Sequence, residues 1–207
     1  MPNSGRIILG DRPDIRDKRS DFWRQHFESA DDYETYLTGS DPAKVGRWLE
    51  MEMNLPRLSQ ARKARLTSVN RDMNVLVSSG IWCGDCVRQV PMLQRIADAC
   101  AANVRLRVID RDASAPLKEE LRILGGARVP VVVFLSEDFY EIGRFGDRPL
   151  SSYRLKARQE AGAACPAGLL PPAGHELEAE MADWVDVFER MLLMLRTSGL
   201  LRQRYGD

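Results

Sequence analysis

The chain of 207 residues has no surplus of either charge, since 30 Lys and Arg balance 30 Asp and Glu. That balance removes the electrostatic case for nucleic acid or an anionic membrane surface as a partner. No run of about 18 apolar residues occurs, so no segment of the sequence is expected to span a membrane. The opening MPNSGRIILGDRPD places only three strongly apolar residues together. A secretory signal needs roughly 7 to 15, and the expectation is a cytoplasmic protein. Histidine is scarce, with only His26 and His175. Cysteine is sparse too: four in a chain of this length do not make a disulfide scaffold. Internal repeats and low-complexity tracts are absent.

What is present is enough apolar material, 44% of residues, for one large domain or a compact domain with a helical extension. Residues 1–70 read as a helical extension. Ser29 and Asp32 resemble a capping box opening a short helix that closes at Gly39. Asp41-Pro42 supplies an N-cap and a first-turn proline for the next helix, and Pro56 starts or kinks another with Leu55, Leu58, Ala61, Arg65 and Val69 in helical period. The basic run RLSQARKAR, residues 57–65, reads as a solvated face.

From residue 71 onward the pattern changes. Strands are expected at Asn74–Ser79, Val104–Asp110, Val129–Leu135 and Phe139–Phe145, with helices at Cys83–Ala102 and Ala115–Leu124. This order predicts a parallel βαβ unit finished by an antiparallel hairpin. Residues 147–175 read as an irregular insert. In the final helix, 176–203, Leu177, Met181, Trp184, Phe188, Met191 and Leu195 form a stripe suited to packing on the sheet.

The stretch VLVSSGIWCGDCVRQVPML, residues 75–93, carries the chemistry. Cys83 and Cys86 follow a strand and open a helix, where unpaired backbone N–H groups and the helix dipole favour an anion. The thiolate is the nucleophile, and this position lowers its pKa. Cys83 at the helix entrance is the expected attacker, and Cys86, one turn inside, is the expected resolver of a mixed disulfide. Two other readings stay open: buried thiols without chemistry, and metal ligation. Intrachain zinc wants four ligands, whereas the other cysteines are single and the histidines are distant. Two such pairs from two subunits would supply four thiolates for a shared cluster.

Trp82-Cys83-Gly84-Asp85-Cys86 resembles the active site of the thioredoxin superfamily, as does a CxxC beside a βαβ pattern. Pro91 matches the proline that kinks the corresponding helix. Val129-Pro130 opens the third strand where thioredoxins carry a cis-proline, and Gly143 and Gly146 suit the glycine turn on the same face. The resemblance covers roughly residues 73–146 and looks closest to bacterial thioredoxin-like proteins with a WCGDC site and helical flanks. It implies a three-layer α/β/α fold with a mixed sheet and a thiol–disulfide oxidoreductase acting as a reductant of protein disulfides. Cys83 and Cys86 would be catalytic, and Trp82, Gly84, Asp85, Val129 and Pro130 would hold the substrate chain. Disulfide-containing proteins and a thioredoxin-reductase-like electron donor are the implied partners, with no cofactor and no metal.

Departures from the family pattern matter as well. Val77 stands where thioredoxins bury an aspartate, and Leu106 aligns with its lysine partner. Asp85 replaces the usual proline, and a carboxylate there is expected to raise the thiol pKa values. Asp110 and Asp112, at the end of a parallel strand, are candidate proton acceptors. Cys100 reads as a buried small hydrophobe, and Cys165, in the insert, as a loop thiol able to reach Cys83. A module that binds or assembles with little catalysis is the competing functional class.

Overall fold

Short β-branched runs alternating with amphipathic helices produce a mixed four-stranded sheet between two helical layers. The computed structural model describes residues 16–100, 104–161 and 175–206. In chain order the elements are α1 (Ser20–Glu28), α2 (Tyr33–Thr38), α3 (Pro42–Asn54), α4 (Gln60–Thr67), β1 (Met73–Ser79), α5 (Gly84–Ala99) and β2 (Val104–Asp110). There follow α6 (Ala115–Glu120), β3 (Val131–Leu135), β4 (Glu141–Gly146), α7 (Leu150–Ala161), α8 (Glu176–Thr197) and α9 (Gly199–Tyr205). The sheet order is β2-β1-β3-β4, with β1 and β2 parallel and the other pairs antiparallel. This is the parallel unit and closing hairpin that the sequence predicts.

Alternation along β1 divides the core. Val75 and Val77 face α5 and α8, where Phe134 meets Phe188 edge-on with centroids 5.2 Å apart. Leu76 faces the other layer, with Trp23 and Phe27 of α1 and Leu117 of α6. The C-terminal stripe packs on the sheet as expected: Met181, Trp184, Phe188, Met191 and Leu195 all enter the larger core. The helix carrying it ends earlier than expected, because Ser198 adopts extended backbone and caps α9 through Leu201 N–H.

The N-terminal helices share that core. Trp48 of α3 is fully buried, and Leu55, Leu58, Leu66 and Val69 join it. Asp32, not Ser29, caps α2 by accepting from Thr35 N–H at 2.8 Å. Pro56 starts no helix: α4 begins after Ser59, whose hydroxyl accepts from Arg62 N–H. Leu66 is the buried residue of α4, while Arg65 points outward to Asp186 and Glu189 of α8. Arg95 of α5 donates to the carbonyls of Glu52 and Leu55, satisfying the C-terminal end of α3. Asp31 exchanges two backbone hydrogen bonds with Val108 at 3.0 and 2.7 Å and covers the outer edge of β2.

The stretch expected to be irregular after Gly146 begins instead with a helix, α7. Its sequence LSSYRLKARQEA has no apolar stripe, and polar contacts hold it. Ser151 N–H donates to Asp183, and the Ser152 hydroxyl donates to buried Glu180, which also accepts from Arg88 at 2.6 Å. Helix α6 ends at Glu120, short of its predicted span to Leu124, with Leu121 as its C-cap; Leu124 and Gly125 beyond it take positive φ, 51° and 75°.

Candidate active site

The parallel strand β1 ends at Ser79, and the chain turns through Gly80, Ile81 and Trp82 into α5. Two contacts fix that turn. Cys83 N–H donates to the Gly80 carbonyl at 2.9 Å, and the indole N–H of Trp48, from α3, donates to the Ile81 carbonyl at 3.0 Å. A Cβ added at Gly80 would lie 2.8 Å from the Trp82 ring, so a side chain there would displace the indole. Trp82 itself is 47% exposed, with the guanidinium of Arg111 over its ring, 4.9 Å from the centroid.

Cys83 is the N-cap residue of α5, in extended backbone, and makes no side-chain cap bond to the helix. Cys83 is 9% exposed and, as a thiol, donates to the Val129 carbonyl at 3.5 Å, whereas Cys86 is fully buried. The Cys83 thiol is held down at about 6, well below the ordinary 9.0. The hydrogen bond from Cys86 is the leading cause; burial opposes it, and the backbone N–H groups of Cys86 and Asp85 assist. The same contact and burial drive Cys86 strongly the other way, burial foremost. One thiol is therefore poised as an anion and its neighbour as a proton donor.

Asp85 was expected to raise both thiols. Its charge does push Cys83 upward, but weakly beside the other influences. The carboxylate is taken up by Arg148, whose guanidinium donates twice, at 3.0 and 2.5 Å. Arg148 belongs to a cluster beyond the end of β4: Asp147 accepts from Arg148, Arg128 and the Tyr153 hydroxyl. Burial pushes the Asp147 carboxyl up, yet the hydrogen bonds from Tyr153 and Arg128 leave it below its ordinary value.

The opposite wall comes from the start of β3. The Val129–Pro130 peptide bond is cis, both residues are buried, and Val131 pairs with Gly146 across the hairpin. A Cβ on Gly146 would fall 2.8 Å from the Pro130 carbonyl and 3.1 Å from Val131 Cα, so only glycine lets the strands approach this closely. Pro91 lies inside α5.

Trp82, Cys83, Gly84, Asp85, Cys86, Val129 and Pro130 thus gather at one edge of the sheet. Gly84 is exposed as the first residue of α5, and Asp85 is half-buried in its ion pair. Cys100 is 2% exposed, and burial pushes its thiol up to about 12. Cys165 lies outside the described residues. Asp112 is bound to Arg111 and Lys118 on the surface, which hold it at about 2. Sequence reasoning missed Arg148, Arg128, Tyr153 and Tyr36, because each reaches the site from a distant part of the chain; Ser79 lies within the stretch 75–93, where the sequence marks it only as the end of a strand.

Against known proteins, a family model described as thioredoxin matches residues 30–159. A protein of unknown function from Pseudomonas aeruginosa has a TM-score of 0.61 at 19% identity, covering 82% of this chain and 96% of its own. An HIV epitope scaffold has a TM-score of 0.56 at 21% identity, over 89% of this chain and 98% of its own. The oxidised mitochondrial thioredoxin 3 of Saccharomyces cerevisiae is 23% identical and covers 46% of this chain and 86% of its own, with a TM-score of 0.31. No curated protein matches. The first two likenesses speak for the fold alone.

Proposed function

The chain belongs to the thioredoxin family, and on that premise we propose that it is a thiol–disulfide oxidoreductase of protein disulfides. Cys83 attacks a client disulfide and Cys86 resolves the mixed disulfide. The observation that carries this reading is the division between the two thiols: Cys83 held at about 6 at the helix entrance, and Cys86 fully buried and protonated one turn inside. The attacking sulfur must be an anion at working pH, and the second must stay protonated until the first step is complete.

Trp82 and the Val129-Pro130 segment frame the sulfur and are assigned to holding an extended client chain. Free backbone groups beside a proline can pair with such a chain, while the proline itself offers no N–H. A value near 6 lies closer to the ~7 of thioredoxin than to the ~3.5 of the strongest oxidants, so the pair belongs on the reducing side. Its potential is expected to be on the order of −270 mV, not −120 mV. A reductant of this kind works in the cytoplasm and draws electrons from a thioredoxin-reductase-like donor.

Insulin reduction with dithiothreitol or a reductase tests the activity. Turnover that disappears in Cys83→Ser supports the reading. Turnover no faster than dithiothreitol alone would leave a binding module with an unused cysteine pair. The Cys86→Ser variant should trap mixed disulfides with client proteins, and equal trapping by Cys83→Ser would refute this assignment of roles.

A further inference from the structure

Val77 is fully buried between Val108 and Val132 and brings no proton acceptor to the second thiol. Cys86 must still lose its proton before its sulfur can attack. The groups acting on it include the hydroxyl of Ser79 and the Gly80 backbone, both of which pull its thiol downward against burial. Ser79 is fully buried, and its oxygen accepts from the Tyr36 hydroxyl at 3.5 Å. Tyr36 comes from α2, where its ring packs edge-on against Trp48. Beyond it lies a cavity of about 600 Å³, lined also by His26, Asp31, Ser40, Asp110 and Ser114. Asp31 on its wall is exposed, so the cavity opens to solvent.

We propose that Ser79 and Tyr36 form a proton relay joining buried Cys86 to this cavity and to Asp110, in place of a buried carboxylate. The proposal rests on the reading of Cys86 as the resolving thiol. Two neutral hydroxyls can be buried where a carboxylate would carry a heavy desolvation penalty. The 3.5 Å contact is long for O–H···O, and catalytic hydrogen bonds of this sort tighten in the reacting complex.

With a client captured on Cys83, the Cys86 thiol passes its proton to the Ser79 oxygen. The two hydroxyls turn from the resting arrangement, in which Tyr36 donates to Ser79, so that Ser79 passes its own proton to Tyr36 and Tyr36 passes its own to the Asp110 carboxylate or to solvent in the cavity. The Cys86 thiolate attacks the Cys83 sulfur, the Cys83–Cys86 bond forms, and the Cys83–client bond breaks. The client sulfur leaves with the electron pair and takes up a proton from solvent. Two electrons reach the client disulfide in all, and both hydroxyls end as they began. The charged groups facing this route are Asp110 on Tyr36, Cys83 on both Tyr36 and Cys86, and Asp85 and Arg111 on Cys83.

Stopped-flow mixing of the reduced full chain with the aromatic disulfide 5,5′-dithiobis(2-nitrobenzoate) separates the steps, since each releases one coloured thiolate. In Tyr36→Phe and Ser79→Ala, the ratio of second-step to first-step rate should fall about tenfold, below the range for a fully positioned proton carrier because cavity solvent substitutes in part. The second-step pH profile should move up in both variants, and Ser79→Thr, which keeps the hydroxyl, should restore rate and profile. A loss of packing alone would not be reversed by the larger threonine. Ratios and profiles within twofold of wild type in both variants, while wild type releases both thiolates, would overturn the relay and leave the oxidoreductase reading intact. Release of only one thiolate by wild type would overturn both.

Discussion

Lowering the pH should separate Cys83 from an ordinary thiol more sharply than raising it. With its value at about 6 against 9.0, Cys83 is ~90% thiolate at pH 7, where an ordinary thiol is ~1%. The advantage in reactivity is smaller than that ratio, because a thiolate of lower pKa is a weaker nucleophile. A Brønsted slope of ~0.4–0.5 over the gap between 9.0 and about 6 removes roughly twentyfold, leaving about four- to fivefold at pH 7. At pH 5 the thiolate fractions differ about 900-fold, and the net advantage grows to about 45-fold. Iodoacetamide alkylation of the reduced chain, followed by mass spectrometry from pH 4 to 10, measures this directly. The rate should inflect near 6, and in Cys86→Ala the inflection should climb toward 9.0, because the Cys86 hydrogen bond is the leading cause of the depression. The stability of the reduced fold carries the same sign. A depressed thiol contributes fully above its unfolded value near 9.0, progressively less below that, and nothing once pH has fallen through about 6. An inflection at 8 or above in wild type would refute the assignment of a stabilised anion to Cys83.

Arg148→Met should unpair Asp85 and expose Cys83 to its uncompensated charge, raising the alkylation inflection by a few tenths to about one pH unit; Asp85→Asn in the same chain should reverse the change. If the single variant titrates like wild type, the Arg148–Asp85 pair does not govern the thiol. Gly146→Ala should cost about 1–3 kcal/mol by overpacking, read as a lower urea midpoint, because the added methyl meets the backbone of Pro130 and Val131. An unchanged midpoint would show that the hairpin yields at no cost.

The cysteine pair, Pro130 and the strand order were legible because each is encoded by a few adjacent residues. A CxxC behind an apolar run and a proline opening VPVVVFL are local signals. The parts missed are held by residues distant in sequence. Arg148 reaches Asp85 across 63 positions and Tyr36 reaches Ser79 across 43, so no window of sequence contains both partners. Helix α7 escaped notice for a related reason: it has no apolar periodicity, and its anchors Asp183 and Glu180 stand on α8. Boundaries erred where one hydroxyl decides the start, as Ser59 does for α4. Asp85 was misjudged because its electrostatic effect depends on an arginine that arrives only with the tertiary fold.

The order in which the chain is synthesised sets a schedule for the site. Trp48 leaves the ribosome 33 residues before Ile81, whose carbonyl it holds. Asp31 leaves 77 residues before Val108, its partner at the edge of β2. At roughly 5 to 20 residues per second, Trp48 waits about 2 to 7 seconds and Asp31 about 4 to 15 seconds for these partners. During that interval Trp23 and Trp48 lack the strands that complete their cores. The turn before Cys83 acquires its final geometry after β1 is complete, so a nascent chain already carrying the thiol pair has yet to tune it.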